Sequence, residues 1–305
     1  MNAGAEMALR LVRADAELWS AWVDSLAALP ENPYEATLRR FEGTVALFVH
    51  RVPVAYYNRV IIDDNADAAI LANIASFYRE RMMPCRFDMS PYAADPEVLE
   101  TLDMFGFRPA GFQSNLFGPV EYVNEKPIEK LTVSQVTAGQ IEFFGRFFNN
   151  AYYEGQSVPR GLKKFREATV RARLGRPGWH LYLCCVDDVP ASGAMLYAND
   201  GIATLTGAAT ASNFRGHGCQ RALLRARIND AARLKCKLVV ARCGVGTASQ
   251  RNLERAGLQT GYTKIIWEHR DMLASKPQVR PRRQNWLEMM LLDETSDRRV
   301  HAAVG

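Results

Sequence analysis

Apolar positions along the chain switch repeatedly between a helical and a strand period. From residue 14 to 30, Leu18, Trp19, Trp22, Leu26 and Leu29 recur at helical spacing and predict an amphipathic helix ended by Pro30 and Pro33. Thr44 to His50 and Val54 to Ile62 read as strands, with Arg51-Val52-Pro53 turning between them as a hairpin. A helix from about Ala68 to Arg81 follows, then a short strand from Arg86 to Met89. Asp95-Pro96-Glu97 opens a further helix with carboxylates in its first turn, which stops at Phe105-Gly106. Phe112 to Phe117 gives a final strand of this series.

Periodicity is lost from Gly118-Pro119 to Pro127, and then the order of elements begins again. Residues 131–136 read as a strand. Residues 140–153 read as a helix with Ile141, Phe144, Phe148 and Ala151 on one face, and 160–174 as a second helix. Strands at 179–186 and 191–197 turn through Asp187-Asp188-Val189-Pro190. A strand of small and β-branched residues, 202–210, leads through two glycines into a helix carrying Leu224, Ile228, Ala231 and Leu234. A short strand at 237–243, a helix at 248–256 stopped by Gly257, and a strand at 263–269 complete the second series.

The two series echo each other. Leu102-Asp103-Met104-Phe105-Gly106-Phe107 parallels Leu253-Glu254-Arg255-Ala256-Gly257-Leu258, and hairpin turns at Val52-Pro53 and Val189-Pro190 correspond. The expected organisation is a domain over 1–120, a linker over 121–130, a second domain over 131–272 and a basic tail over 273–305. The tail holds Arg280, Arg282, Arg283, Arg298 and Arg299 beside the apolar patch Trp286 to Leu292.

Composition narrows the class. Of 305 residues 48% are hydrophobic, enough for real cores rather than disorder. The net charge of +5 suits a polyanionic small ligand but is too weak and dispersed to argue for nucleic acid. No run is long enough for a membrane span, and Met1 to Arg13 has no apolar core of signal-peptide type. Six cysteines (85, 184, 185, 219, 236, 243) show neither Cys-x-x-Cys nor zinc spacing, so no metal site is expected and a reducing cytoplasm fits.

The candidate chemistry lies at Asn213-Phe214-Arg215-Gly216-His217-Gly218-Cys219-Gln220-Arg221. A strand, a glycine turn and a helix N-terminus make an anion site, because the first helix amides lack acceptors and the dipole adds positive charge. Neither a Walker motif nor a dinucleotide fingerprint is present. Read by itself the stretch is also compatible with a plain turn before a helix. It resembles the acyl-CoA pyrophosphate loop of the GNAT N-acyltransferase superfamily, Gln/Arg-x-x-Gly-x-Gly/Ala. Arg215 and Gly218 match, and Gln220 stands where a small residue is usual.

With the repeat, the chain resembles a tandem GNAT whose first copy is degenerate. Its loop position reads Asp63-Asp64-Asn65-Ala66-Asp67, acidic and without glycine. The resemblance implies an α/β (α+β) fold of two GNAT-like domains, each a mixed, mostly antiparallel twisted sheet flanked by helices. It implies acetyl-CoA or another acyl-CoA as donor, held by Ala208, Ala209, Thr210, Arg215, Gly216, His217, Gly218, Cys219, Gln220, Arg221 and Asn252. The implied reaction is acyl transfer to the primary amine of a small molecule, with Tyr152 and Tyr153 lining the acceptor side. Glu154 is the candidate base. The family's helix tyrosine falls on Leu253, so Tyr262 is the substitute acid and Ser249 can orient the sulfur. A non-catalytic acyl-CoA-binding regulator, a carrier-protein thioester as donor, and a homodimer remain compatible with this reading.

Overall fold

The computed structural model describes residues 3–63, 66–124 and 128–270. The expected tail lies outside the described residues, as do Asp64 and Asn65. In chain order the elements are α1 (Ala3–Ala27), β1 (Ala36–Phe41), β2 (Thr44–Val49), β3 (Arg59–Ile62), α2 (Ala68–Glu80), β4 (Arg86–Met89), α3 (Pro96–Met104) and β5 (Phe107–Pro119). Then come β6 (Leu131–Gln135), α4 (Ile141–Tyr152), α5 (Arg160–Arg171), β7 (Trp179–Val186), β8 (Val189–Asn199), β9 (Ile202–Thr210), α6 (Cys219–Arg233), β10 (Leu238–Gly244), α7 (Ala248–Arg255) and β11 (Gln259–His269). The fold is mixed α/β, in two compact units.

Among the described residues, the first unit comprises those up to Leu116 together with Thr260 to Arg270. Its strands lie in the order β1-β2-β3-β4-β11-β5. All neighbouring pairs with a defined register are antiparallel except β3–β4, which run parallel from Arg59↔Arg86 to Ile62↔Met89. Its core gathers Phe48, Leu71, Ile74, Tyr78, Phe87 and Phe107 between the sheet, α2 and α3. The hairpin expectation changes here. Val54 to Asn58 are not strand, because Asn58 accepts from the Val49 N–H and donates to the Val52 and Val54 carbonyls, taking the bonds a ladder would use. The tight turn of this region instead joins β1 to β2 at Glu42-Gly43, with Gly43 at φ +64°.

A second difference concerns the last of the described strands. Residues 263–269 were expected to close the sheet of the 131–272 domain. Instead Ile265–Glu268 pair antiparallel with Met89–Arg86 of β4. Lys264 fixes this strand: its Nζ lies 2.7 Å from Asp15 Oδ2 of α1 and 2.9 Å from Asp88 Oδ2 of β4, all three side chains being buried. Asp88 also receives Arg59 at 3.0 Å and Arg86 at 2.9 Å. Burial alone would raise the Asp88 carboxyl, but Arg86, Lys264 and Arg59 outweigh it and hold it well below the usual range. The Arg59 guanidinium, lowered to about 10 by burial and then by Arg86, stacks 3.5 Å from the Trp19 ring.

The second unit spans Phe117–Gln259. Its sheet runs β10-β9-β8-β7-β6, antiparallel throughout except β9–β10. α4 and α5 pack as a pair, and α6 lies across β6 to β9. Residues 118–124 are tied rather than loose: the Val120 N–H bonds the Lys237 carbonyl, and Val123 exchanges both backbone bonds with the Asn229 side chain. β5 runs from Phe107 to Pro119, longer at both ends than the 112–117 strand its apolar pattern predicts. The repeat is visible in structure, since α3 and α7 each end two residues before a left-handed glycine, Gly106 at φ +79° and Gly257 at φ +90°.

Candidate active site

Two strands of the second unit part company. The parallel ladder runs from Ile202↔Leu238 to Leu205↔Ala241 and stops, although β9 continues to Thr210 and β10 to Gly244. On its other edge β9 stays paired with β8 as far as Ser192↔Thr210. That ladder contains a bulge: Thr206 faces Met195 and Ala208 faces Ala194, leaving Gly207 unmatched at φ +50°. A bulge increases local twist and bends the strand, which turns the end of β9 away from β10. A Cβ at Gly207 would also come 3.3 Å from Phe148 Cζ. Residues 206–208 are therefore half-buried in mid-sheet, while Ala209 and Thr210 are buried again.

Past Thr210 the chain makes a short 3-10 turn at Ser212–Phe214 and then the glycine loop. Gly216 and Gly218 both sit at φ +83°, and Gly218 is the N-cap of α6. No side chain caps this helix. Its first amides have no intrahelical acceptor and face a positive dipole end. Gln220, the residue that departs from the family pattern, does not obstruct the loop. Its Nε2 donates to Thr210 Oγ1 at 3.1 Å, and Thr210 Oγ1 lies 2.8 Å from Ser192 Oγ, which donates to the Ala209 carbonyl. The side chain is thus fastened to the end of β9.

The first unit offers the same topological position in a closed form. There β3 and β4 remain paired over their whole length, with no divergence. The N-terminus of α2 is already capped: Asp67 accepts the Ile70 N–H at 3.0 Å. A carboxylate occupies the end of that helix, where a phosphate would meet like charge.

Glu154 lies in the loop between α4 and α5. Its Oε2 accepts from the Ser212 N–H at 2.9 Å, its Oε1 from Ser212 Oγ at 2.6 Å, and Arg215 Nη2 stands 3.5 Å away. Tyr152 and Tyr153 sit beside it, ring to ring at 4.8 Å, and the Arg166 guanidinium stacks 3.5 Å over Tyr153. The buried Asn149 side-chain oxygen accepts no hydrogen bond among the described residues. Ser212, Asn149 and Arg166 carried no motif. Only their three-dimensional neighbours single them out.

Cys219, the first residue of α6, is buried against Cys184 of β7. A hydrogen bond from Cys184 lowers the Cys219 thiol, with His217 adding to the effect, while Cys184 is raised. Ser249 and Asn252 lie on α7, where Asn252 Oδ1 accepts from Arg255 at 3.3 Å. Leu253 is buried. Tyr262 is a buried residue of β11 and is grouped with the first unit, not with the loop. Ala208, Ala209 and Thr210 end the strand that leads into the 215–221 stretch, and the Gln220–Thr210 bond ties the two together.

A divergent parallel strand pair opening onto an uncapped, glycine-led helix decides the architecture. The fold is that of the GNAT proteins. Among solved structures it resembles a GCN5-related N-acetyltransferase from Kribbella flavida (15% identity, TM-score 0.58, covering 84% of this chain and 95% of that one). It also resembles a tandem GNAT protein from the clavulanic acid biosynthesis pathway (14%, 0.55, 83% and 95%). A third is a GCN5-related N-acetyltransferase from Sphaerobacter thermophilus (13%, 0.51, 84% and 91%). No family model and no curated protein matches the sequence. The shared coverage spans both units, so the likeness of fold extends to each of them. Among the described residues no helix is long and apolar enough to cross a membrane, and no group of His, Cys, Asp and Glu could hold a metal.

Proposed function

We infer that the second unit binds an acyl-CoA, most simply acetyl-CoA, and transfers its acyl group to the primary amine of a small molecule. The observation that carries this reading is the parting of β9 from β10 directly before the uncapped N-terminus of α6. The donor set fits a diphosphate: backbone amides at a left-handed glycine, the dipole end of a 15-residue helix and Arg215. The first unit, with a closed strand pair and a carboxylate-capped helix, serves as a structural or substrate-shaping repeat.

When bound, the acyl-CoA supplies the thioester carbonyl that an amine attacks. The chain's own work is to hold and polarise. Backbone amides of β9 left without β10 partners, at 206–210, are available to bond the donor's arm and to stabilise charge developing on the carbonyl oxygen. Gly207 and Ala208 keep that edge low. The Gly218–Arg221 amides and Arg215 hold the diphosphate end. Ser249 and Asn252 on α7 stand at the end of β10 through the turn at 245–247 and are assigned to the sulfur end of the arm. Tyr152 and Tyr153 are assigned to the amine. Six free cysteines suit a reducing compartment such as the cytoplasm.

Incubation of the full chain with acetyl-CoA and a panel of primary amines tests the reading, with free thiol release and acylated product measured together. Product with at least one amine is expected. One observation favours a second reading, a non-catalytic acyl-CoA-binding protein: the position of the family's tyrosine is a buried leucine, Leu253. CoA binding without turnover of acetyl-CoA, longer acyl-CoAs or carrier-protein thioesters would select it.

A further inference from the structure

We propose that Glu154 is a positioning residue of the cofactor loop and does not take the proton of the amine. The inference rests on the acyl-CoA reading of the second unit. The carboxylate of Glu154 is spent on the loop: both oxygens are held by Ser212, one by its N–H at 2.9 Å and one by its hydroxyl at 2.6 Å. The same carboxylate lies 3.5 Å from Arg215 Nη2. Ser212 opens the 3-10 turn whose end is Arg215, so two hydrogen bonds and an ion pair from one side chain hold both ends of the four-residue segment that delivers the chain to Gly216. The bonding groups are 58 residues apart in sequence, so the contact joins the α4–α5 loop to the β9–α6 loop.

Arg215 is pinned but not saturated. Its Nε is buried and has no hydrogen-bond partner among the described residues. A diphosphate at the α6 N-terminus is an anion to which this N–H can donate, and it competes with Glu154 for the same guanidinium. Glu154 therefore has two opposed effects on the donor. Its hydrogen bonds to Ser212 hold the loop in the open-amide arrangement and favour binding. Its charge draws on Arg215 and disfavours it.

Substitution separates the two. Glutamine keeps an oxygen for the Ser212 N–H and an amide for the Ser212 hydroxyl, while the charge is lost. Alanine removes both. Calorimetry with CoA on the full chain is expected to show Glu154→Ala binding on the order of tenfold more weakly than Glu154→Gln, the scale of the hydrogen bonds that differ between them. Glu154→Gln should bind no more weakly than wild type. Ser212→Ala in the Glu154→Ala background should add little, since the two act as one unit. Hydrogen exchange gives a ligand-free readout: the Ser212 amide should exchange faster in Glu154→Ala than in Glu154→Gln.

Equal CoA affinity in folded Glu154→Ala and Glu154→Gln proteins overturns the proposal, because the two differ only in the bonds to Ser212. A Glu154→Gln protein that keeps its CoA affinity but loses about 10²–10⁴-fold in kcat, the scale of general-base catalysis, also overturns it and returns Glu154 to proton transfer. If wild type itself fails to bind CoA, the acyl-CoA reading falls and this one with it, a result distinct from the others.

Discussion

Replacing Gly218 by valine should nearly abolish CoA binding in a protein that remains folded. Gly218 stands at φ +83°, the left-handed region, as N-cap of α6. A non-glycine residue there costs about 1–2 kcal/mol, and a β-branched one more. Steric cost is smaller: an added Cβ would meet Ile128 Cδ1 at 3.3 Å and Leu131 Cδ1 at 3.7 Å, both ends of movable side chains. For a chain of this size that strain lowers the melting temperature by only ~2–8 °C. Relief of the strain, however, rotates the peptide units that present the first amides of α6. Losing two charge-assisted hydrogen bonds of about 1.5–3 kcal/mol each is worth ~10²–10⁴-fold in affinity. Gly216→Ala is the control, since Gly216 shares the same φ but has open space around it. Its affinity should fall less. Calorimetry with CoA, paired with thermal melts, makes the comparison. A folded Gly218→Val protein with wild-type affinity would refute the loop assignment.

Further outcomes are expected. Arg215→Ala should weaken CoA by a smaller factor than Gly218→Val, because a partly exposed charge contact is worth perhaps ~1 kcal/mol and Arg215 already shares its charge with Glu154. Tyr262→Phe should lower kcat less than tenfold, since a thiol leaves with a pKa of about 8.5 and needs little acid; a loss within the about 10²–10⁴-fold range of acid catalysis would assign the acid to Tyr262. Asp88→Asn strips three buried cations of their shared carboxylate and should cost about 3–5 kcal/mol at neutral pH, read by denaturant titration. Because the folded Asp88 carboxyl is held below its unfolded value, its contribution is complete above about pH 4 and is lost as pH falls below that. Melting temperature against pH should therefore drop on the acid side more steeply for wild type than for Asp88→Asn, and parallel curves would contradict it.

Local chemistry made most elements readable. Phe105-Gly106 and Ala256-Gly257 announced their helix ends, and the strand–glycine–helix order at 202–224 announced the anion site. What escaped was decided by long-range contacts. β1 carries Thr37, Arg39 and Arg40 on a largely exposed edge, so no apolar pattern marks it. Lys264 reads as a solvent residue in sequence. It is buried because Asp15 and Asp88, from distant parts of the chain, receive it, and the pairing of β11 with β4 follows. The smallness of Gly207 was visible, but not the bulge that requires its positive φ. Gln220 looked like a fault in the loop until its bond to Thr210 turned it aside. Glu154 stood out in sequence as a carboxylate near an acceptor site, and only the fold shows that Ser212 and Arg215 hold it.

The central claim is that one of the two repeats, the second, holds the acyl donor. A crystal structure of the full chain grown with CoA tests it most directly. The account predicts diphosphate density against the Gly216–Arg221 backbone with the pantetheine arm between β9 and β10. Density at the N-terminus of α2, displacing Asp67 from the Ile70 amide, or none at the α6 loop in a protein shown to bind CoA, would contradict it.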